Sequence, residues 1–197
     1  MPGNRLENIK VAMLVTDGFE QIELTSPKEA LESQGAVVHI LVPAERPEFH
    51  MVQGANHGRM DRKFEVDSTI EEANPDDYDA VLLPGGVMNA DKLRVNESAK
   101  DFVRIADEQG ETVASICHGP WLMVSAGIVR GRQMTSYHTI KDDLTNAGAR
   151  WVDQSVVVDA NFISSRHPGD LPEFNQALIE ELSQLEHAGV HGESGIA

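Results

Sequence analysis

The stretch Ala114-Ser115-Ile116-Cys117-His118-Gly119-Pro120 holds the single cysteine of the chain, at the point where an apolar run ends. Ser115-Ile116-Cys117-His118-Gly119 has the small-x-nucleophile-x-glycine form of a nucleophile elbow. So tight a strand-to-helix turn crowds the residues two before and two after the nucleophile, and both must be small. The thiol would stand exposed at a helix N-terminus, whose partial positive charge favours the reactive thiolate. Backbone N–H groups of the same turn can hold a developing oxyanion. The competing reading is a free cysteine that fills core space, the commoner fate of this residue; the elbow spacing favours chemistry.

Two further stretches end on the same edge. Pro84-Gly85-Gly86 closes another apolar strand. It is either a plain turn or a backbone bare enough to aim an N–H at a substrate oxygen. Asp17-Gly18-Phe19-Glu20-Gln21-Ile22-Glu23-Leu24 follows the first strand. Glu20 and Glu23 can each be solvated surface charges. Glu20, set between Phe19 and Ile22, is the one expected to stay protonated and to exchange a proton with the thiol. His118 is the obvious base, yet adjacent residues on a sharp turn are not expected to aim their side chains together. His50 and His57 share a loop with Glu48 and Asp61, but the spacing matches no firm metal pattern, and no metal is assigned.

The elements that must position these residues alternate between strand and helix. Residues 9–15 read as a buried strand, and 37–42 as a second. Between them a helix is expected to start at Ser26, with Pro27 in its first position, Glu29 completing a capping box and Gly35 as its stop. Residues 43–68 are irregular, with an alternating piece that suits a hairpin. Strands follow at 80–84 and 112–116, with one helix running to about 109 between them and another over 118–126. Short strands are expected near 134–136, 150–158 and 161–164, and a helix near 139–147. The last helix should be capped by Asp170 and Glu173 and bury Leu171, Phe174, Leu178, Leu182 and Leu185. The tail from residue 188 has no period. Strand–helix–strand order implies a parallel sheet with right-handed crossovers, and hence one doubly wound α/β domain.

Length and composition fit this. A chain of 197 residues with 41% hydrophobic residues can bury one substantial core. One cysteine excludes an internal disulfide and a multi-cysteine zinc site. No apolar run reaches the length of a membrane span, and the N-terminus lacks the order of a signal peptide, so a cytoplasmic protein is expected. Sixteen Lys and Arg against 32 Asp and Glu give a net charge of -16, which repels phosphate backbones and argues against nucleic-acid partners.

Taken together, A-S-I-C-H-G-P, L-L-P-G-G, D-G-F-E-Q-I-E-L and S-S-R-H-P-G-D-L-P-E-F resemble the PfpI family, in the superfamily of the Parkinson-associated deglycase and the class I glutamine amidotransferase domains. The resemblance covers about residues 8–186. It implies a single domain with a flavodoxin-like sandwich, without a cofactor, assembled as dimers or hexamers. It implies Cys117 as nucleophile, His118 as its companion, Glu20 as the buried carboxyl touching the thiol, and the N–H groups of Gly86 and His118 as oxyanion donors. In hexameric members a neighbouring subunit supplies an acid, and Asp91 is the matching position, unless it caps the helix that follows. The chemistry then favours a glutathione-independent glyoxalase or deglycase acting on small aldehydes or their protein adducts. A peptidase acting on small peptides, or a thiol that senses oxidant, are the alternatives. Trp121 and the 43–64 loop are expected at the pocket mouth.

Overall fold

The computed structural model describes residues 5–45 and 50–190, with side chains through Leu185. In chain order the elements are β1 (Lys10–Leu14), β2 (Phe19–Glu20), α1 (Gln21–Glu32), β3 (Val37–Val42), β4 (Met51–Asn56), β5 (Arg59–Glu65), β6 (Ser68–Thr69) and β7 (Ala80–Leu83). There follow α2 (Val87–Leu93), α3 (Glu97–Gln109), β8 (Thr112–Ile116), α4 (Pro120–Ala126), β9 (Gln133–Met134), α5 (Lys141–Asn146), β10 (Arg150–Trp151), β11 (Val156–Asp159), β12 (Phe162–Ser165) and α6 (Leu171–Val190).

Seven strands form the central sheet in the order β11-β12-β8-β7-β1-β3-β6, parallel except for the antiparallel pair β11–β12. The strands are apolar on both faces, as a covered parallel sheet requires. Alternate residues feed two cores. Val11, Met13, Ala80 and Leu82 face one way, with Leu24 and Leu31 of α1 and Phe174, Leu178 and Leu182 of α6. Ala12, Leu14, Val81 and Leu83 face the other, with Phe102 and Val103 of α3, Leu122 and Met123 of α4, and Leu144 of α5. Each of the Val, Leu, Met and Phe side chains among these contributes about 1.5–3 kcal/mol when taken fully out of water.

From β1 the chain moves outward to β3 and β6, then returns to β7 and continues to β8 and β12. The order therefore reverses between β1 and β7. A crevice opens at the carboxyl ends of strands at such a reversal, and this is where open α/β sheets bind ligands. A small second sheet, β2-β4-β5, stands beside it.

Three helix boundaries differ from expectation. Helix α1 starts at Gln21, six residues early, with Glu20 at the N-cap, so Pro27 lies inside it. Proline there removes the one hydrogen bond that would have reached the Glu23 carbonyl, and the helix tolerates the loss. The expected long helix to residue 109 is two, because the Asn96 side chain caps α3 by accepting from Ala99 N at 2.7 Å. Asp170 does not cap α6; its carboxylate accepts from Arg166 Nε and Nη2 at 2.8 and 3.0 Å. α6 reaches Val190, so the first residues expected in the tail are helical. The rest of the tail, and Glu48, lie outside the described residues.

Candidate active site

Cys117 follows β8 directly, and its φ is +61°, a left-handed conformation that a cysteine adopts only when its surroundings impose it. Those surroundings are visible. Gly119 has ordinary helical φ and ψ, so it needs no conformational freedom; it needs space, because a Cβ would overlap the Leu83 carbonyl oxygen. Ser115, two residues before the cysteine, is fully buried. The tight turn of the elbow is therefore formed, but the thiol it carries is 8% exposed and buried rather than exposed, because Gly85, Glu23 and His118 pack around it.

The same crowding fixes the neighbouring turn. A Cβ on Gly85 would lie 2.5 Å from Glu23 Oε2 and 2.6 Å from Cys117 Cβ. On Gly86, at φ +87°, it would collide with the Gly18 carbonyl oxygen. Asn89, fully buried on α2, braces this turn by donating to the carbonyls of Pro84 and Gly85 at 2.9 and 3.0 Å and accepting from Thr16 N at 2.7 Å. The consequence is electrostatic: the backbone N–H groups of Gly86 and His118, the two expected as oxyanion donors, lower the pKa of the Cys117 thiol.

The carboxyl beside the thiol is Glu23, not Glu20. Glu23 is wholly buried, accepts from Gly85 N through Oε2 at 2.8 Å, and lies against the sulfur. Its Oε1 is buried without a hydrogen-bond partner among the described residues. Burial raises its pKa to about 8, helped by the nearby Glu20 charge and opposed by the Gly85 N–H. Glu20 is half-buried at the cavity wall. The error traces to α1. A helix from Gln21 puts Glu23 on one stripe with Leu24, Pro27 and Leu31, all buried, whereas a helix from Ser26 leaves both glutamates in a loop.

Cys117 itself stands above the ordinary thiol range, from burial first and the Glu23 carboxylate second, while the Gly86 and His118 N–H groups pull it down. The Glu23 repulsion exists only when Glu23 is ionised. Below about pH 8 it holds its proton, and its O–H becomes a third potential donor to sulfur. Helix α4, only seven residues long, is therefore a minor contributor to thiol activation beside these directed donors.

The structure also corrects the expectation that Cys117 and His118 point apart. His118 Nδ1 is 3.2 Å from Cys117 Sγ. The left-handed turn at Cys117 swings the sulfur back toward its neighbour. The imidazole stacks on Tyr137, meets the Trp121 edge, and has Thr139 Oγ1 at 3.2 Å from Nε2. Its pKa is lowered, by burial first and His138 second, so the ring is neutral at neutral pH.

A cavity of about 690 Å³ opens over the sulfur. Glu23, Cys117 and His118 form its floor, with Gly86. Val87, Met88, Asp91, Trp121 and Tyr137 line its wall, and His57 and Gly58 reach it from the β4–β5 hairpin. Trp121 and part of the 43–64 segment thus stand where expected. Asp91 is exposed in the middle of α2 and caps no helix. His57 belongs to the loop expected at the mouth, but its own place in the lining is set by the hairpin.

The profile of the DJ-1/PfpI family matches residues 9–181. The chain belongs to that family. Deglycase PfpI of Pyrococcus furiosus is 42% identical over 174 residues, covering 88% of this chain and 99% of that protein. A deglycase of Pyrococcus abyssi is 44% identical with the same coverage. Among solved structures, a two-domain protein of Anabaena variabilis with DJ-1/ThiJ/PfpI-like and ferritin-like domains superposes with a TM-score of 0.81 at 38% identity, over 88% of this chain and 48% of that one. Drosophila melanogaster DJ-1beta superposes with a TM-score of 0.80 at 26% identity, over 89% and 91%. The flavodoxin-like sandwich is that of the family, and its relatives support a cysteine-based, deglycase-like enzyme. No helix among the described residues is long and apolar enough to cross a membrane.

Proposed function

We propose that the protein is a cysteine-dependent enzyme that converts 2-oxoaldehydes, and the early amine adducts they form, to 2-hydroxy acids without glutathione. The observation that carries this is the Cys117 sulfur at the base of a cavity, 3.2 Å from His118 Nδ1 and beside the buried Glu23 carboxyl, which keeps its proton to about pH 8. Cys117 Sγ attacks the aldehyde carbon, a C–S bond forms, and the carbonyl electron pair moves to an oxygen facing the Gly86 and His118 N–H groups. The thiol proton passes to neutral His118 Nδ1. Glu23 protonates the oxyanion, giving a hemithioacetal, and is left as a carboxylate. That carboxylate removes the hydrogen from the former aldehyde carbon and returns a proton to the neighbouring carbon. The hydroxyl proton shifts to the neighbouring oxygen, and the product is a thioester. Water cleaves it: its hydroxyl joins the acyl carbon and its remaining proton returns to Glu23, while His118 gives its proton to the departing sulfur, so the 2-hydroxy acid leaves and the thiol, Glu23 and His118 are restored. One 2-oxoaldehyde and one water give one 2-hydroxy acid. An amine adduct enters the same route by releasing its amine.

Loss of methylglyoxal and appearance of lactate, followed in wild type and in Cys117→Ser, test the proposal. Conversion by wild type alone is expected. Conversion that survives in Cys117→Ser, or none in either protein, would overturn it.

A second reading, a cysteine peptidase, is favoured by the 3.2 Å contact between Cys117 Sγ and His118 Nδ1. Against it, His118 Nε2 meets the Thr139 hydroxyl where a triad would place a carboxylate. Asp91 from a second copy is the group that could fill that role. The exposed Val87 and Met88 next to it suit an oligomer built through α2. Fluorophore release from peptide amides would favour this reading. A third, oxidant sensing, predicts stable oxygen addition to Cys117 by mild peroxide without turnover. A working free thiol fits a reducing, cytoplasmic compartment.

A further inference from the structure

The cavity contains more charge than the reaction uses. Glu20 and Asp91 both line it, beyond the Glu23 on its floor, and none of its described lining residues is lysine or arginine. Of the neighbouring cations, Arg59 follows Gly58 and is exposed, and three others are placed by contacts of their own. Lys92, next to Asp91 on α2, lines a separate cavity with Asp17 and Glu97. Arg94 lies over the Trp121 ring at 5.0 Å and donates to Ser125 Oγ. Arg62 lies over Phe64 at 5.0 Å.

The Glu20 carboxylate is not consumed by the fold. It sits at the N-cap of α1 but makes no side-chain capping bond. Its charge reaches the floor, since it is one of the influences that hold the Glu23 proton in place. The same cavity is lined by Val87, Met88 and Trp121, a low-dielectric surface that leaves such a charge poorly screened. At the bottom, Glu23 lines the cavity, and its Oε1 is buried without a hydrogen-bond partner among the described residues.

We infer that Glu20 and Asp91 make this cavity a charge filter, which admits neutral and cationic carbonyl compounds and disfavours those bearing a carboxylate or phosphate. This selectivity rests on the proposed reaction for its biological use, but not for its physics. The substrate class it selects is the uncharged 2-oxoaldehyde and the adduct on a basic amine, ahead of acidic aldehydes and sugar phosphates. Glu20 and Asp91 are specificity-determining residues, acting on the approach of the substrate rather than on its bonds.

The lone cysteine provides a test that needs no turnover. Three methanethiosulfonates, one cationic, one neutral and one anionic, are reacted with Cys117 at low ionic strength, and labelling is followed by intact mass. Each rate is divided by the rate with free cysteine. The cation-to-anion ratio should be roughly tenfold or more, and should shrink with added salt. In Glu20→Gln/Asp91→Asn it should fall at least about threefold. A control pair, Glu72→Gln/Glu108→Gln, removes the same net charge from two exposed sites outside the cavity lining and should hold the ratio within about twofold. The ratio is read within each protein, so changes in basal reactivity cancel. If the double variant does not fold, the single variants read the same ratio. A wild-type ratio near one, or an equal fall in both pairs, would overturn the filter. Absent methylglyoxal turnover with an intact, cavity-dependent ratio would instead sink the proposed reaction and leave the filter standing.

Discussion

The floor of the cavity and its rim are built on opposite terms. On the floor, backbone decides everything. Cys117 sits at φ +61°, and Gly85, Gly86 and Gly119 each stand where a single added carbon would strike a neighbour. On the rim, side chains decide. Val87 is 55% exposed and Met88 44%, and Asp91 and the turn residues His57 and Gly58 are exposed as well. The floor has one solution and the rim has many. Bond-making needs donors placed to within a fraction of an ångström, whereas selection among substrates needs only a field and a shape.

The largest effect should come from filling the floor. Gly119→Ala keeps a permitted φ and ψ, so its whole cost is the overlap with the Leu83 carbonyl, which is backbone and cannot step aside. A loss of about 3 kcal/mol or more in denaturant-measured stability is expected, together with loss of activity. Gly85→Ala should be slightly milder for the fold, because part of its clash is with the Glu23 side chain, which can rotate. That rotation would withdraw the carboxyl from the sulfur. Activity should therefore fall more than stability does. A Gly119→Ala protein as stable as wild type would show that the floor is softer than its geometry.

Glu23→Gln separates chemistry from folding on the floor itself. Removing the proton donor should lower kcat/KM by about a hundredfold. Stability should move the other way. The unfolded chain releases this proton above the ordinary value of 4.5, while the folded protein keeps it to about 8. The folded state thus binds more protons across that window, and wild-type stability falls as pH rises through it. Glutamine does not titrate and still accepts from Gly85 N. Its variant should match wild type near pH 4 and exceed it by a few kcal/mol at pH 8, as seen in chemical denaturation at the two values. In wild type, steps that need the Glu23 proton should fade as pH rises past about 8. A variant less stable than wild type at pH 8 would mean that the buried carboxyl is no burden to the fold.

The same contrast explains what could be read from residues alone. The strand 37–42 is legible because five of the six positions between Ala36 and Pro43 are aliphatic, broken only by His39, which leaves little else. The elbow is legible because steric demand is written as residue type: serine, cysteine and glycine at fixed spacing. Glu23 was misread because Pro27 is as good an opening residue for a helix as it is a tolerable interior one, and local rules cannot choose. The choice is made by the short strand β2, which pairs with β4 and ends at Glu20. The Cys117–His118 contact was missed because a left-handed cysteine is improbable until the surrounding carbonyls are known. Asp170 was misread for a similar reason: Arg166, one turn back, outcompetes the helix end for its carboxylate. Rim membership was legible only coarsely: Trp121 and the 43–64 loop are expected at the mouth, but which loop residues reach it, His57 among them, is set by hairpin geometry.

The smallest effect should lie in that hairpin. His57 and Gly58 are the two residues between β4 and β5, and both have positive φ, +49° and +79°. Two such residues make the turn whose twist matches the flanking strands, and asparagine followed by glycine is its preferred pair. Histidine tolerates the left-handed region less well than asparagine does. His57→Asn should therefore raise stability by about 0.5 kcal/mol, read as a small increase in Tm. The imidazole also lines the cavity, so the substitution asks whether the rim is free to change. If kcat/KM for methylglyoxal shifts by less than about threefold while Tm rises, His57 shapes the mouth without touching the reaction. A drop beyond tenfold, with the same gain in Tm, would move His57 from the rim to the floor and erase the division between them at that point.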